Sequence, residues 1–226
     1  FSSLDILNVN CCSLRGLKVG WIDGSVDKAW KWAVELGADV KFLNDDDLLF
    51  GNLSEFDTIV SGVFAGLTRP LISAHSRLMA WMEQGGTYIT EYQRPQDNWD
   101  IKKSSPYILE IGSPSIRWRV TDPNAKVKIS DPNHILLNSP NKITLQDFND
   151  WVKERGLYFA SNWDKKYNTP LLMSDPGEKE LKGSLLYAKV GLGCHIHCAL
   201  NLFYQMDHLV PGSFRIFANL LSSHKE

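Results

Sequence analysis

The first ninety residues alternate short apolar runs with amphipathic segments, and this alternation restricts the fold more than any other feature of the chain. Residues 17–22 and 40–43 are typical of buried strands. Between them, apolar side chains at helical spacing predict a helix that Ser25 caps and Gly37 ends. Strands that alternate with helices of this length require a parallel sheet with right-handed crossovers and helices on both faces.

The same pattern continues to residue 91. Residues 57–62 predict a third strand, and Thr68 is expected to cap a helix that Gly85 ends. Residues 87–91 predict the next strand. The acidic run at residues 44–47 is interpreted as a loop and, since it lacks the alternating ligand spacing and the Gly of a calcium-binding loop, as a solvated helix cap. The first half is therefore predicted to be a flavodoxin-like, doubly wound α/β unit.

The second half has a looser pattern, with loops rich in Pro and Asp from residue 93 to residue 131. A turn of apolar residues and glycines at 190–193 predicts an antiparallel hairpin late in the chain. The predicted elements of this half are a strand at 116–120, a helix at 145–153, strands at 171–174, 183–189 and 194–200, and a helix at 213–221.

Composition and charge restrict the partners of the chain. The net charge is −2, so no overall field attracts nucleic acid or an anionic membrane. The apolar runs are shorter than the roughly 20 residues that cross a bilayer. The four cysteines do not form the dense pattern of a secreted disulfide framework. We therefore expect a cytoplasmic protein that binds neither nucleic acid nor membrane.

The chain is expected to contain one domain. Residues 1–16 lack periodicity and are interpreted as an arm or the end of a linker, whereas residues 17–226 are predicted to form a single domain. Because the chain begins at Phe1 rather than at Met, we expect an upstream domain in the same polypeptide.

The ligand crevice of an open parallel sheet lies beyond the carboxyl ends of its strands, where helix N-termini and their free N–H groups converge. This rule selects four segments, at residues 23–25, 62–69, 91–94 and 197–201. From them we predict a set of ligand-binding residues. The set is Asp23, Ser25, Phe64, Thr68, Arg69, Glu91, Tyr92, Gln93 and Asn201.

Several strings resemble known families. The strings at 57–63, 83–87 and 191–193 resemble the class I glutamine amidotransferase-like fold. The strings at 133–143, 151–159 and 175–178 look like the C-terminal region of long bacterial proteins of the PIG-L (LmbE-like) deacetylase family. The resemblance covers residues 17–222 and implies an accessory domain of a deacetylase protein.

The catalytic residues of both families are missing from this chain. An active amidotransferase needs a cysteine nucleophile at a strand-to-helix elbow, with a His and a Glu nearby. Residues 90–93 read Thr-Glu-Tyr-Gln at that place, and Cys-Ala follows His197 where the enzymes have Pro-Glu. The zinc motif of the deacetylases, of the type Ala-His-Pro-Asp-Asp-Glu, is also absent. We therefore expect a degenerate, non-catalytic domain that binds carbohydrate or another small molecule, or mediates an interaction.

Glu91 is the strongest single candidate for a functional residue in the predicted crevice. It could bind a sugar hydroxyl or a cation, act as an acid or base with His197 in a hydrolase of different chemistry, or pair with Arg69 or Arg94. A structural homodimerisation domain is a third alternative, recognisable by a large apolar patch.

The remaining motifs bear on metal binding and on sugar binding. Strand alternation places His195 and His197 on one face and Cys194 and Cys198 on the other, so we expect no metal and no cofactor. Aromatic residues in the loop-rich half either stack on sugars or anchor loops. They are Trp99, Tyr107, Trp118, Trp163 and Tyr167.

Overall fold

A mostly parallel sheet covered by helices is the centre of the computed structural model, which describes residues 8–223. The strands are β1 (Lys18–Ile22), β2 (Asp39–Phe42), β3 (Thr58–Ser61), β4 (Thr87–Glu91), β5 (Leu109–Ile111), β6 (Val127–Ile129), β7 (Ala160–Trp163), β8 (Leu171–Met173), β9 (Leu185–Val190) and β10 (Gly193–Cys198). The helices are α1 (Ala29–Glu35), α2 (Asp45–Phe50), α3 (Leu71–Glu83), α4 (Leu202–Asp207) and α5 (Pro211–Leu221).

The strand order of the main sheet is β2-β1-β3-β4-β10-β9. Strands β2, β1, β3, β4 and β10 are parallel to one another. Strand β9, at the edge of the sheet, runs antiparallel to β10. Gly191 has a φ of 60° in the turn between β9 and β10, a conformation that glycine adopts without strain. The flavodoxin-like sheet and the late antiparallel hairpin are thus confirmed.

Two apolar layers hold the helices on the sheet. One face packs against α1, α4 and α5 and includes Trp21, Ile89 and Ile196. The other face packs against α2 and α3 and includes Ile22 and Ile59. Within residues 8–223, no helix is both long enough and apolar enough to span a bilayer.

Three local predictions in the first half are wrong. Ser25 does not cap α1, because it lies at a φ of 60° and the helix begins only at Ala29, whose N–H donates to Asp27 Oδ1. Thr68 does not cap α3, since residues 65–67 form a separate 3₁₀ turn before Pro70. Residues 45–47 are the first turn of helix α2 rather than a loop, whereas the helix-cap interpretation is confirmed, because the Asn44 side chain accepts a hydrogen bond from the Asp47 N–H.

The loop-rich half also departs from the predicted pattern. A 3₁₀ turn and a single bridge replace the strand at 116–120. The helix at 145–153 is one 3₁₀ turn that ends at Phe148, because Asp150 and Lys153 have positive φ angles that a right-handed helix excludes. Strands β5, β6 and β7 and the short helix α4 were not predicted, whereas β8, which pairs with β6, lies in the predicted strand at 171–174.

The predicted arm at residues 1–16 lies partly outside the described residues. In its described part, Leu14 is buried and donates its N–H to Leu36 O at the end of α1. The domain boundary at residue 17 stays a prediction.

Candidate functional site

The crevice lies where the strand order reverses. Because β1 lies between β2 and β3, the connections that leave β1 and β3 diverge at their carboxyl ends. Gly24 is the residue that brings the first connection close to the second. A Cβ on Gly24 would lie 2.0 Å from Val63 O, so any other residue would separate the two segments.

Two buried carboxyl groups meet at this point. Asp27 accepts hydrogen bonds from Ala29 N at 2.9 Å and from Val63 N at 3.0 Å. Glu91, the last residue of β4, faces the Asp27 carboxyl, and its Oε2 atom has no hydrogen-bond partner. Gly62 leaves room for Asp27 because a Cβ there would lie 3.2 Å from Asp27 Oδ2.

Burial sets the protonation of both groups. It raises the pKa of the Glu91 carboxyl well above its ordinary value, and the charge of Asp27 raises it further. Burial also raises the pKa of Asp27, although the Ala29 and Val63 N–H groups partly oppose this. The pair therefore retains a proton at a pH where exposed carboxyl groups are ionised.

Aromatic side chains close the crevice above the carboxyl pair. The Tyr92 ring is 4% exposed and lies 5.6 Å from the ring of Phe64, 5.9 Å from that of Tyr158 and 6.3 Å from that of Phe203. The Arg94 guanidinium lies 4.4 Å from the Phe64 ring centroid. Side chains thus plug the crevice of the described structure, which leaves no open path to Glu91.

A third carboxyl group lies beside the plug. Asn201 donates to Glu154 Oε1 at 2.7 Å, whereas the Asn201 Oδ1 atom is buried without a partner. Burial raises the pKa of Glu154, and the charge of Lys153 opposes this shift. The charges of Glu154, Glu91 and Asp27 all raise the pKa of the Tyr92 hydroxyl, after burial itself. All three carboxyl groups therefore lie within electrostatic range of one phenol.

Glu91 and His197 do not come together, so the predicted acid–base pair is wrong. In the parallel register Glu91 pairs with Cys198 and His197 pairs with Thr90, which puts the two side chains on opposite faces of the sheet. His197 Nδ1 lies 2.9 Å from Thr90 Oγ1, and burial lowers its pKa to about 3. His197 is therefore a neutral, enclosed side chain.

His195 belongs to the same buried network. Its Nε2 atom lies 3.2 Å from Thr90 Oγ1, and its Nδ1 atom lies 2.7 Å from the Tyr167 hydroxyl. Cys194 and Cys198 lie on the other face, as alternation predicts. Among residues 8–223 there is no group of three or more His, Cys, Asp or Glu side chains arranged to hold a metal ion.

Of the predicted ligand-binding residues, Phe64, Glu91, Tyr92 and Asn201 meet in the plugged crevice. Gln93 has a structural role, because its amide bonds Gly62 O and Glu91 O and accepts from Gly66 N. Ser25 and Thr68 are exposed on the loops around the crevice.

Arg69 and Asp23 lie outside the plug. Arg69 donates to Asp45 Oδ1 and Leu43 O, each at 2.7 Å, and to Asp23 O at 3.3 Å. It therefore ties the carboxyl ends of β1 and β2 together and does not pair with Glu91. The residues beside it line an open surface cavity of about 680 Å³, formed by Asp23, Phe42, Leu43, Asn44, Asp45, Asp46 and Arg69.

Asp27 and Glu154 are the site residues that the sequence did not reveal. Asp27 follows the turn after β1, and an acid just before the first turn of a predicted helix is a signal that could have indicated it. Glu154 lies in an irregular segment and has no such signal.

The strand-to-helix elbow that carries the nucleophile in amidotransferases is absent from the described structure as well as from the sequence. After β4 the chain enters a long connection, and the next regular element is β5, so no helix follows Glu91. Cys198, the thiol nearest to Glu91 in the register, is 2% exposed, and burial raises its pKa strongly. A protonated and enclosed thiol is a poor nucleophile.

Comparisons with known proteins identify the fold. No family model matches the sequence, and no curated protein matches it. A cytoplasmic protein of Salmonella typhimurium is 11% identical, covers 92% of this chain and 98% of its own, and superposes with a TM-score of 0.60. An exo-beta-1,4-mannosidase of Opitutaceae bacterium strain TAV5 is 14% identical with a TM-score of 0.53, and the match covers 90% of this chain but 36% of the mannosidase.

A glutamine amidotransferase of Thermotoga maritima is 9% identical, with 93% of this chain and 98% of that protein covered and a TM-score of 0.51. Identities this low carry information about the fold alone. The sheet order, the late hairpin and this superposition together lead to one conclusion. The chain has the flavodoxin-like fold of the class I glutamine amidotransferases.

Proposed function

We propose that this chain is an amidotransferase-like module that has lost amidotransferase chemistry and acts by binding. One observation supports the proposal above all. It is the residue found at the strand end where an active amidotransferase has its cysteine nucleophile. Glu91 stands there, buried against Asp27 and covered by Tyr92 and Phe64. A carboxyl group in this setting does not form an acyl intermediate with glutamine.

The finer part of the proposal concerns the ligand and the parent protein. Carbohydrate or another small polar molecule fits the combination of aromatic rings, a carboxyl pair and the Asn201 amide. The strings at 133–143, 151–159 and 175–178 support an accessory role beside a deacetylase of the PIG-L type. The mannosidase match is consistent with this fold occurring as one part of a larger carbohydrate-active protein.

We also propose that this module is located in the cytoplasm. None of the four cysteines is in a disulfide, which suits a reducing compartment. Two similar structures carry the description of cytoplasmic proteins.

A glutaminase assay tests the proposal. Purified chain is incubated with glutamine, and ammonia release is compared with that of an active amidotransferase and of the Cys198→Ser variant. We expect background release from the wild type and the variant alike. Glutamine hydrolysis that disappears in Cys198→Ser would contradict the proposal, because Cys198 would then be an acyl-forming nucleophile.

A further inference from the structure

The three carboxyl groups of the crevice form no close ion pair within the described part of the chain. None of the ion pairs within residues 8–223 includes Asp27, Glu91 or Glu154. Lys153 is next to Glu154, but its ammonium lies over the Tyr204 ring, 4.8 Å from the centroid. Buried carboxyl groups are ordinarily neutralised by a proton, an ion pair or a bound cation. Among the described residues, the Asp27–Glu91 pair is therefore neutralised only by the proton that it retains, and Lys153 is the cation whose charge acts on Glu154.

Two buried acceptor atoms also lack a donor. Glu91 Oε2 and Asn201 Oδ1 have no hydrogen-bond partner, and their residues are 8% and 1% exposed. An amide oxygen accepts hydrogen bonds and does not donate them, and Glu91 Oε2 is likewise only an acceptor once the Asp27–Glu91 pair has lost its proton. The missing partner is therefore a donor, and an ammonium group supplies three donors and a positive charge.

The walls of the crevice also favour a cation. Phe64, Tyr92 and Tyr158 form one ring cluster, the Tyr92 hydroxyl lies within electrostatic range of the carboxyl groups, and the faces of aromatic rings attract cations. Phe64 already carries the guanidinium of Arg94 over its ring, 4.4 Å from the centroid. A cation on the inner side would meet the same ring chemistry together with the carboxyl groups.

The cover over the site is thin. Phe64 and Tyr158 are partly exposed, and their ring centroids are 5.6 Å apart. Both residues lie in the left-handed region, with φ angles of 58° and 57°. Rotation of these two side chains would uncover Tyr92 and the carboxyl groups without any rearrangement of the sheet.

We propose that this crevice, formed by Asp27, Glu91 and Glu154 under the Phe64 and Tyr158 side chains, binds a ligand that carries a protonated amine. The inference rests on the proposed binding function and names the chemistry of its ligand. A neutral polyol carries no positive charge that could replace the proton retained by the Asp27–Glu91 pair. A bare metal ion lacks a set of three suitable ligands among residues 8–223.

The site predicts a pH dependence of binding. Titratable groups from several elements face Glu91 or its neighbours: Asp23, Asp27, Tyr92, Lys153, Glu154, Tyr158 and Cys198. Of these, the carboxyl groups with raised pKa values lose their protons as pH rises, so a cation should bind more tightly. Binding below that transition should release a proton to the buffer.

The test uses the full chain and a matched pair of ligands. Calorimetric titrations compare glucosamine with glucose, which differ by an amine in place of one hydroxyl. We expect glucosamine to bind at least about tenfold more tightly and its affinity to rise from about pH 5 to about pH 7, below the range in which the sugar's own amine loses its proton. Titrations in buffers of different ionisation enthalpy measure the released proton.

Substitutions test which residues produce the preference for the amine. Glu91→Gln and Glu154→Gln remove charge at constant shape and should each abolish the preference for the amine, whereas Glu83→Gln on the exposed surface of α3 is the matched control. Equal, pH-independent affinity for the two sugars overturns the amine inference and leaves the binding function intact. Failure of glucosamine to bind also overturns the inference, whereas cysteine-dependent glutaminase activity is what would overturn the proposed function.

Discussion

At the scale of single residues, Glu91 couples the stability of the chain to pH. Its pKa in the folded protein is raised, so the folded state holds a proton that the unfolded chain releases near the ordinary carboxyl pKa. A raised pKa contributes stability that is present at low pH and lost as pH rises towards the folded value. We expect the free energy of unfolding to fall across this window by up to about 1.4 kcal/mol per pH unit for each retained proton.

Urea unfolding of the wild type and Glu91→Gln from about pH 5 to about pH 8 measures this contribution. The variant cannot ionise at this position, so the difference in stability between variant and wild type should increase with pH. Comparison with Glu83→Gln removes the contribution of other groups, because Glu83 is exposed. A difference that stays constant with pH would mean that Glu91 ionises in the folded state as it does in the unfolded chain.

Part of the site could be predicted from residue type and strand position. Glu91 and Tyr92 follow an apolar run, and the rule of strand ends places them in the crevice. The pairing of Glu91 with His197 failed because it depends on the register between β4 and β10, which no local pattern specifies. Asp27 and Glu154 were missed for a related reason, since they approach Glu91 and Tyr92 only through long-range packing.

At the scale of elements, Gly24 sets the distance between the segments that follow β1 and β3. A Cβ at this position would lie 2.0 Å from Val63 O and 2.8 Å from Ala65 N, which are backbone atoms that cannot turn away. We expect Gly24→Ala to destabilise the protein by at least about 3 kcal/mol in thermal or urea unfolding.

Gly177→Ala is the matched control for this substitution. Gly177 has a φ of 80° and no atom within 4 Å of an added Cβ, so its cost is backbone strain alone, about 1–2 kcal/mol. Equal losses for the two variants would refute the steric role of Gly24.

Arg69 joins the ends of β1 and β2 in the same region. It donates to Leu43 O, Asp23 O and the Asp45 carboxylate, so its removal leaves two carbonyl groups without this donor. We expect Arg69→Ala to lower the free energy of unfolding by about 2 kcal/mol. Arg117→Ala, at an exposed position, should change it by less than about 0.5 kcal/mol. Similar values for both variants would show that Arg69 acts as an ordinary surface residue.

The two halves of the chain were predictable to different degrees. In the first half, each strand and each helix presents an apolar pattern of its own period, so the parallel sheet follows from the sequence. In the second half, the unpredicted strands β5 and β6 have three residues each, too few to display a period of two. Positive φ angles at Asp150 and Lys153 end the predicted helix, and such angles at non-glycine residues have weak sequence signals.

At the scale of the whole molecule, the position of β10 inside the sheet determines how its thiols behave. β10 pairs with β4 on one side and with β9 on the other, and Cys194 and Cys198 are each 2% exposed. Cys12 is exposed and Cys11 is half-buried on the segment before β1. Reaching the two inner thiols requires separation of the central strands, which amounts to unfolding of the domain.

We therefore expect two classes of thiol when native protein reacts with an aromatic disulfide reagent. Cys12 should react quickly and Cys11 more slowly, because burial raises the Cys11 pKa. The two β10 thiols should react only at the rate of global opening, and urea should accelerate them with the slope of the unfolding transition. The Cys12→Ser variant should lose the fast phase alone. Rapid modification of Cys198 in native protein would instead reveal an accessible thiol in the crevice, and the amidotransferase chemistry that its burial argues against would have to be reconsidered.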